Sequence, residues 1–227
     1  MDPVILLAMP LRLDVDFLLS TWCPQGGEDD RRRFTELARE AQAIACPKAA
    51  FCIAFAETGE DGVVYIDGES FHSHVLRVNL EKVGRVFPYL ATCGRELDEW
   101  AKSLQDPIEK FWSDAIMEEA VKAACQVLQE KLEHDFSTGS LATMNPGSLE
   151  DWPMAEQEPL FRILGEASRM IGVELSGSFL MLPVKSVSGL FFPSEEKFES
   201  CRLCPRDNCP NRRAQYDAEL FKRKYRS

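Results

Sequence analysis

The sequence lacks most of the signatures that would place it at once. It has three histidines, His72, His74 and His134, so chemistry built on several imidazoles has little to draw on. No stretch reads GxSxG, HExxH or GxxxxGK[ST], which leaves out the nucleophile elbow, the helix-borne zinc hydrolase pair and the phosphate-cradling loop. There is no internal repeat, heptad run or low-complexity segment. No apolar run approaches the roughly 20 residues a membrane helix needs. The richest, residues 179–192, is interrupted by Pro183, Lys185, Ser186, Ser188 and Gly189. The apolar start has no basic leader and is broken by Asp14 and Asp16, so it reads as folded chain rather than a signal peptide.

What is present is an ordinary globular composition: 227 residues, 45% hydrophobic and 28% charged, enough to bury a core without staples. The formal charge of −11 repels nucleic acid and anionic lipid, so neither is expected as a partner. Basic charge gathers at one end. Residues 201–227 hold eight Lys or Arg against three Asp or Glu, which is +5 and leaves −16 on the rest. Eight cysteines without a secretory signal imply free thiols or metal ligands in a reducing, cytoplasmic setting.

Periodicity predicts a helix over 30–45, with Phe34, Leu37, Ala41 and Ile44 as its stripe, stopped at Cys46-Pro47. FCIAFAE and VVYIDG flank TGEDG as a hairpin. HVLRVNL (74–80) alternates, and on a strand His72 and His74 would face one side as a half-exposed pair able to chelate. VFPYLATC (86–93) reads as a buried strand whose Pro88 implies an edge or a bulge. A helix over 107–134 follows, with Asp106 as cap, Pro107 at its first position, and Phe111, Ala115, Ile116, Ala120, Ala123, Val127 and Leu128 on one apolar face. Residues 137–153 show no periodicity and read as a long loop. A further helix is predicted over 156–171, ended by Gly172, before a strand, a kink at Pro183 and a second strand or turn. The expected fold is α+β: an antiparallel or mixed twisted sheet packed against a long central helix. It divides into a core over 1–198 and a cysteine-rich basic tail over 199–227. An uncovered edge strand would let two copies pair as a homodimer.

The tail reads ESCRLCPRDNCPNRR, which places Cys201, Cys204 and Cys209 as C-x2-C-x4-C. Two intervening residues let two sulfurs converge on one ion, and three thiolates suit zinc or an iron–sulfur cluster. A [4Fe–4S] centre fits the odd ligand count, and Arg202, Arg206, Arg212 and Arg213 would offset its charge. Pro205 and Pro210 stiffen the run. Fourth-ligand candidates are His134, Cys23, Cys46, Cys52 and Cys93, with Cys23 and Cys93 preferred beside turn residues. The alternatives are redox chemistry at Cys201 and Cys204, or no centre at all.

Three polar segments could share a cleft: 143–157, 182–189 and 91–97. Pro146 and Gly147 followed by Asp151 and Trp152 would offer backbone amides and an aromatic platform, while Lys185, Ser186 and Ser188 would meet an anion. The plainer alternative is that Trp152 and Pro153 cover the next helix and that Lys185 is solvated.

LRLDVDFLLS, ATCGREL, DAIMEEAVKAA, NPGSLEDWPMAEQEPLFRILG, GVELSGSFLMLPVKSVSG and the terminal C-x2-C-x4-C-x2-R, in that order, resemble the activation (reactivation) domain of vitamin B12-dependent methionine synthase, in the stand-alone form of anaerobic bacteria. The resemblance implies the α+β fold of that domain, which binds S-adenosylmethionine through an R-x-x-P-G-Y loop and a glutamate on the preceding helix and methylates reduced cobalamin. The arginine position falls here on Thr143, the proline and glycine on Pro146 and Gly147, the tyrosine on Ser148 and the glutamate on Lys122. Exchanging a carboxylate for a cation there weakens the case for S-adenosylmethionine. Asp151, Trp152, Gln157, Lys185 and Ser188 match the stand-alone pattern. The resemblance implies an accessory protein for a cobalamin (corrinoid)-dependent methyltransferase, meeting cobalamin through a corrinoid-carrying partner and carrying a metal or Fe–S centre in its tail. In that setting the basic 222–226 run would dock on an acidic partner. Two other classes stay open: a small-molecule methyl-transfer enzyme using S-adenosylmethionine, and an interaction protein stapled by structural zinc.

Overall fold

The computed structural model describes residues 3–7, 9–59, 62–195, 198–209 and 211–225. A short strand, β1 (Val4–Leu6), leads into helices α1 (Val15–Trp22) and α2 (Glu28–Ile44). Strands β2 (Lys48–Phe51), β3 (Ala54–Thr58), β4 (Val63–Ile66) and β5 (Glu69–His72) follow, then α3 (His74–Leu80), β6 (Arg85–Thr92), α4 (Arg95–Ser103) and the long α5 (Pro107–Phe136). The remainder is β7 (Leu141–Met144), α6 (Gln157–Leu164), α7 (Ala167–Met170), the two-residue strands β8 (Glu174–Leu175) and β9 (Met181–Leu182), β10 (Ser186–Pro193) and α8 (Ala218–Lys224). This is the α+β arrangement expected from the sequence, and every strand pairing is antiparallel.

Strand β6 is the hub. On one side β10 runs along it from Ser186 opposite Thr92 to Phe191 opposite Phe87, and β7 pairs with β10 beyond. On the other side β2 pairs with its second half, and β3 takes over at Ala54 opposite Val86. Pro88 lies at that changeover, mid-sheet rather than at an edge. The Cys52 N–H donates to the Pro88 carbonyl at 3.1 Å, and the bond that Pro88 cannot return falls where the ladder passes from β2 to β3.

Alternation along the strands buries both faces. Ala49, Phe51, Phe87, Tyr89, Ala91 and Phe191 pack under Ala124, Leu128 and Leu132 of α5. Ala50, Cys52 and Leu90 pack on the opposite face against Leu164, Ala167 and Ile171. The first half of α5 joins α1, α2 and α4 in a helical cluster around Phe34, Leu37, Trp112 and Ile116. Asp106 caps α5 by accepting from the N–H groups of Ile108 and Glu109, with Pro107 at the first position.

Five local expectations are corrected. Residues 74–80 form a helix, because Ser73 accepts the Leu76 N–H at 3.0 Å as N-cap, so His72 and His74 are not a strand pair. The 137–153 loop contains β7, registered against β10. The helix over 156–171 is broken at Gly165, whose φ of 54° ends α6 before α7 begins. Phe111 and Val127 are exposed rather than on the buried face of α5, and Ile44, at the end of α2, is exposed too. Trp152 lies wholly in the core rather than presenting a platform. The turn residues Glu60 and Asp61, Pro210 and Arg226 lie outside the described residues.

The tail packs back on the core. Phe198, Leu220 and Tyr225 share a cluster with Ala142, Leu190 and Phe192, and Tyr225 Oη donates to Asn79 Oδ1 at 2.9 Å. Of the basic terminal run, Lys222 pairs with Glu219 and Arg223 with Asp217.

Candidate functional site

The helix α5, the ends of β6, β7 and β10, and the tail enclose an open cleft of about 530 Å³. Glu118, Lys122 and Cys125 come from one face of α5, where spacings of four and three residues stack side chains above one another. Tyr89, Thr143, Asn145, Val187 and Phe191 form the floor, Val184 and Lys185 the mouth, and Asn211 and Arg213 the wall contributed by the tail.

The floor is rigid. The Tyr89 ring stacks on Phe191 with centroids 4.3 Å apart. Its hydroxyl receives the Asn145 Nδ2–H at 2.7 Å and lies 3.2 Å from Thr143 Oγ1. Asn145 Nδ2 also donates to the Ser188 carbonyl at 2.9 Å, tying the end of β7 to β10. Burial pushes the Tyr89 phenol far above its ordinary value, so it stays protonated and acts only as a hydrogen-bonding group. Burial likewise pushes the Cys125 thiol up to about 12, only partly offset by the Arg213 charge, which makes it an inert lining rather than a nucleophile.

The mouth is a charge network. Lys185 Nζ lies 2.9 Å from Asp114 Oδ2 and 3.7 Å from Glu118 Oε2. Lys122 Nζ lies 3.1 Å from Glu118 Oε1 and 2.8 Å from Glu119 Oε1. Burial opposes the ionised form of Glu118, but the neighbouring Lys122 and Lys185 charges outweigh it and lower its pKa. Lys122 shows the mirror case: burial opposes its charge, and Glu119 and Glu118 outweigh that and raise its pKa. Glu118 is therefore an anion held by two lysines, and it is the carboxylate that lines the cleft.

Of the sequence candidates, Lys185 lines this cleft, and so do Lys122 and Thr143, the positions of the family's glutamate and arginine. Ser186 lines it as well, whereas the other candidates are bonded within the fold. Asp151 accepts from Ser73 Oγ and from the N–H groups of His74 and Val75 at 3.2 and 3.0 Å, capping α3 from a distant segment. Trp152 is fully buried edge-on to Phe71. Gln157 and Ser188 meet each other: Ser188 Oγ donates to Gln157 Oε1 at 3.2 Å, and Gln157 Nε2 donates to the Phe179 carbonyl at 2.9 Å. Both are buried in a clasp that pins the turn before β9. Pro146 and Gly147 shape a turn in which the Gly147 N–H bonds the Trp152 carbonyl at 2.6 Å, with φ of 81° at Gly147. Replacing Asp151 with alanine is expected to cost about 1–2 kcal/mol, by loss of the cap and of the Ser73 partner. Urea unfolding measures it, and ligand affinity in the cleft should stay unchanged.

The backbone of the tail is tied by a single side chain. The Arg212 guanidinium donates to the carbonyls of Cys201, Cys204 and Ala214 at 3.1, 3.2 and 3.1 Å and also to that of Arg206. Among the described residues no three Cys, His, Asp or Glu side chains are gathered for a metal ion. Cys23 and Cys93 are buried in the helical cluster and Cys52 beneath α6 and α7, so the preferred fourth ligands are core residues. The donor chemistry of Cys201, Cys204 and Cys209 suits a soft centre; their present arrangement does not hold one.

This architecture, with α5 crossing a sheet built around β6 and β10, is that of the methionine synthase reactivation domain, as the sequence resemblance implied. The solved structure it matches is the MetH reactivation domain bound to AdoHcy, with a TM-score of 0.63 over 87% of this chain and 81% of that one. At 15% identity the likeness is one of fold. No family model matches the sequence, and no curated protein matches it.

Proposed function

We propose that this chain is an accessory, reactivation-type protein for a cobalamin (corrinoid)-dependent methyltransferase. The carrying observation is the reactivation-domain fold across most of the chain, with an open cleft between α5 and β10. The cobalamin would be presented by a corrinoid-carrying partner, and the rigid floor of Tyr89, Asn145 and Phe191 would support whatever enters the cleft. No redox step is assigned to the tail. Its three thiols are the chain's donors for zinc or a [4Fe–4S] centre, a claim that metal and acid-labile sulfide analysis after anaerobic purification checks directly. The functional test mixes the chain with a cob(II)alamin-loaded corrinoid protein from the same cell, an added one-electron reductant and S-adenosylmethionine as methyl donor. A complex by sedimentation and faster reductive methylation of the corrinoid are expected. Absence of both a complex and a change of rate overturns the proposal.

A second reading, methyl transfer from S-adenosylmethionine bound in the same cleft, is favoured by Glu118. It offers an ionised carboxylate one turn before Lys122, so the ligand's ammonium would still find an anion. Calorimetric titration with S-adenosylmethionine is expected to show binding that Glu118→Gln weakens by about tenfold or more, the scale of one charge-assisted hydrogen bond. Absence of both heat and thermal shift removes this reading.

A further inference from the structure

Among the described residues three cations line the cleft: Lys122, Lys185 and Arg213. Their donors are committed differently. Lys122 lies against Glu118 and Glu119, and Lys185 against Asp114 and Glu118. Arg213 meets one carboxylate, and does so through Nε, 3.2 Å from Glu199 Oε2. Neither Nη of its guanidinium has a partner among the described residues. A guanidinium anchored at Nε keeps the edge formed by its terminal nitrogens, which can give two parallel N–H···O bonds to one carboxylate or phosphate.

The residue that carries this fork is held in place. Arg212, just before it, donates through its side chain to the carbonyls of Cys201, Cys204 and Ala214 at 3.1, 3.2 and 3.1 Å. The Arg212 N–H bonds the Cys209 carbonyl at 3.1 Å, and the Arg213 N–H points at Cys201 Sγ at 3.5 Å. The charge of Arg213 also reaches the floor of the cleft. It favours the anionic form of both Tyr89 and Cys125 against the burial that opposes it. In the same cleft Val121, Val187 and the stacked Tyr89 and Phe191 rings supply apolar lining.

We propose that Arg213 is the anion-binding residue of the cleft, and that the cleft takes a small molecule with an apolar body and a carboxylate or phosphate end. The inference rests on the cleft being the ligand site, as in the function proposed above, and adds which end of the ligand the tail reads. Neighbouring arginines then have separate tasks: Arg212 fastens the tail, and Arg213 faces the ligand.

Benzoate, phenyl phosphate and the neutral benzamide are the probes, titrated at constant ionic strength into the ¹⁵N-labelled full chain. The anions are expected to shift the Arg213 Nε–H and Asn145 side-chain resonances saturably. At least one of them should bind about tenfold or more tighter than benzamide, the scale of a charge-assisted pair. Which anion binds tighter tells carboxylate from phosphate. Arg213 is half-exposed, so Arg213→Gln leaves the core intact. It should bring the tighter anion down to the affinity of benzamide and leave benzamide unchanged. Arg213→Lys should recover only part of the loss, because an ammonium offers no fork. Arg206→Gln removes a tail cation that does not line the cleft and should leave all three affinities as they are. Anions no tighter than benzamide, no binding by any probe, or an anion preference that survives Arg213→Gln each overturn the inference. Equal losses in Arg206→Gln and Arg213→Gln overturn it too, since general charge would then suffice. The corrinoid test fails separately: a corrinoid complex without anion binding sinks this inference alone, and anion binding without a complex or a change of rate sinks the accessory role alone.

Discussion

Trp152→Ala is expected to lower the free energy of unfolding by about 3–5 kcal/mol while leaving ligand affinity in the cleft of the surviving folded fraction unchanged. Trp152 has no exposed surface and packs with Phe71, Leu149 and Leu160 under the segment that carries Asp151. Truncation leaves a cavity that the β4–β5 hairpin and α6 can fill only by moving, and that movement would also pull Asp151 from the cap of α3. Against a typical stability of about 5–15 kcal/mol, this is a large share. Trp152→Phe separates packing from polarity. The indole Nε1 has no hydrogen-bond partner among the described residues, so losing the N–H costs nothing beyond the smaller ring. Chemical denaturation of the two variants checks this. An alanine variant as stable as the parent but deficient in ligand binding would return Trp152 to the role of a binding platform.

Gly189→Ala is expected to cost about 1–3 kcal/mol and to damage the cleft as well. A Cβ at this position would lie 2.4 Å from the Met144 carbonyl and 2.4 Å from Asn145 Nδ2, and 3.0 Å from the Tyr89 ring. The asparagine can swing away, but the carbonyl belongs to β7, so relief requires parting β7 from β10. That removes the Asn145 bridge to Tyr89 and Ser188, which sets the cleft floor. The two variants therefore differ in kind: Trp152→Ala reads in stability alone, whereas Gly189→Ala should also weaken any cleft ligand several-fold. Thermal unfolding and a ligand titration distinguish them.

Much of the frame could be read from the residues in order. Asp106-Pro107 announced α5, and the stripe from Phe34 to Ala41 announced α2, because caps and 3.6-residue periodicity are local signals. HVLRVNL misled because Val75, Leu76, Val78 and Leu80 satisfy both a strand and a helix period over seven residues. The arbiter was Ser73 as cap, backed by an aspartate 78 residues away. The strand β7 is four residues long and offers no alternation to see; only its pairing with β10 defines it. At the site, Lys185, Lys122 and Thr143 were found through motif positions. Tyr89, Asn145, Glu118 and Cys125 were not: Asn145 and Glu118 lie inside motif segments but at no ligand position, Tyr89 and Cys125 lie outside them, and the four converge from three separate elements. Asp151, Trp152, Gln157 and Ser188 were named as binding groups because they match the family's stand-alone pattern, Asp151 and Trp152 also because they follow the Pro-Gly turn. Burial and the partners they find make them supports of the fold.

The union of β6 with β10 also fixes a schedule for the chain at birth. The two strands leave the ribosome nearly a hundred residues apart, Thr92 pairing with Ser186 and Phe87 with Phe191. At ordinary rates of synthesis that interval is about 5–20 s. During it β6, which is among the most apolar strands of the protein, has one open edge and the whole first half of the chain beside it. A nascent chain with such a wait is a natural client for holding factors. Codons that slow translation between residues 140 and 186 would lengthen its exposure, and ribosome-bound intermediates stalled there should be markedly more prone to aggregate than those released after residue 193.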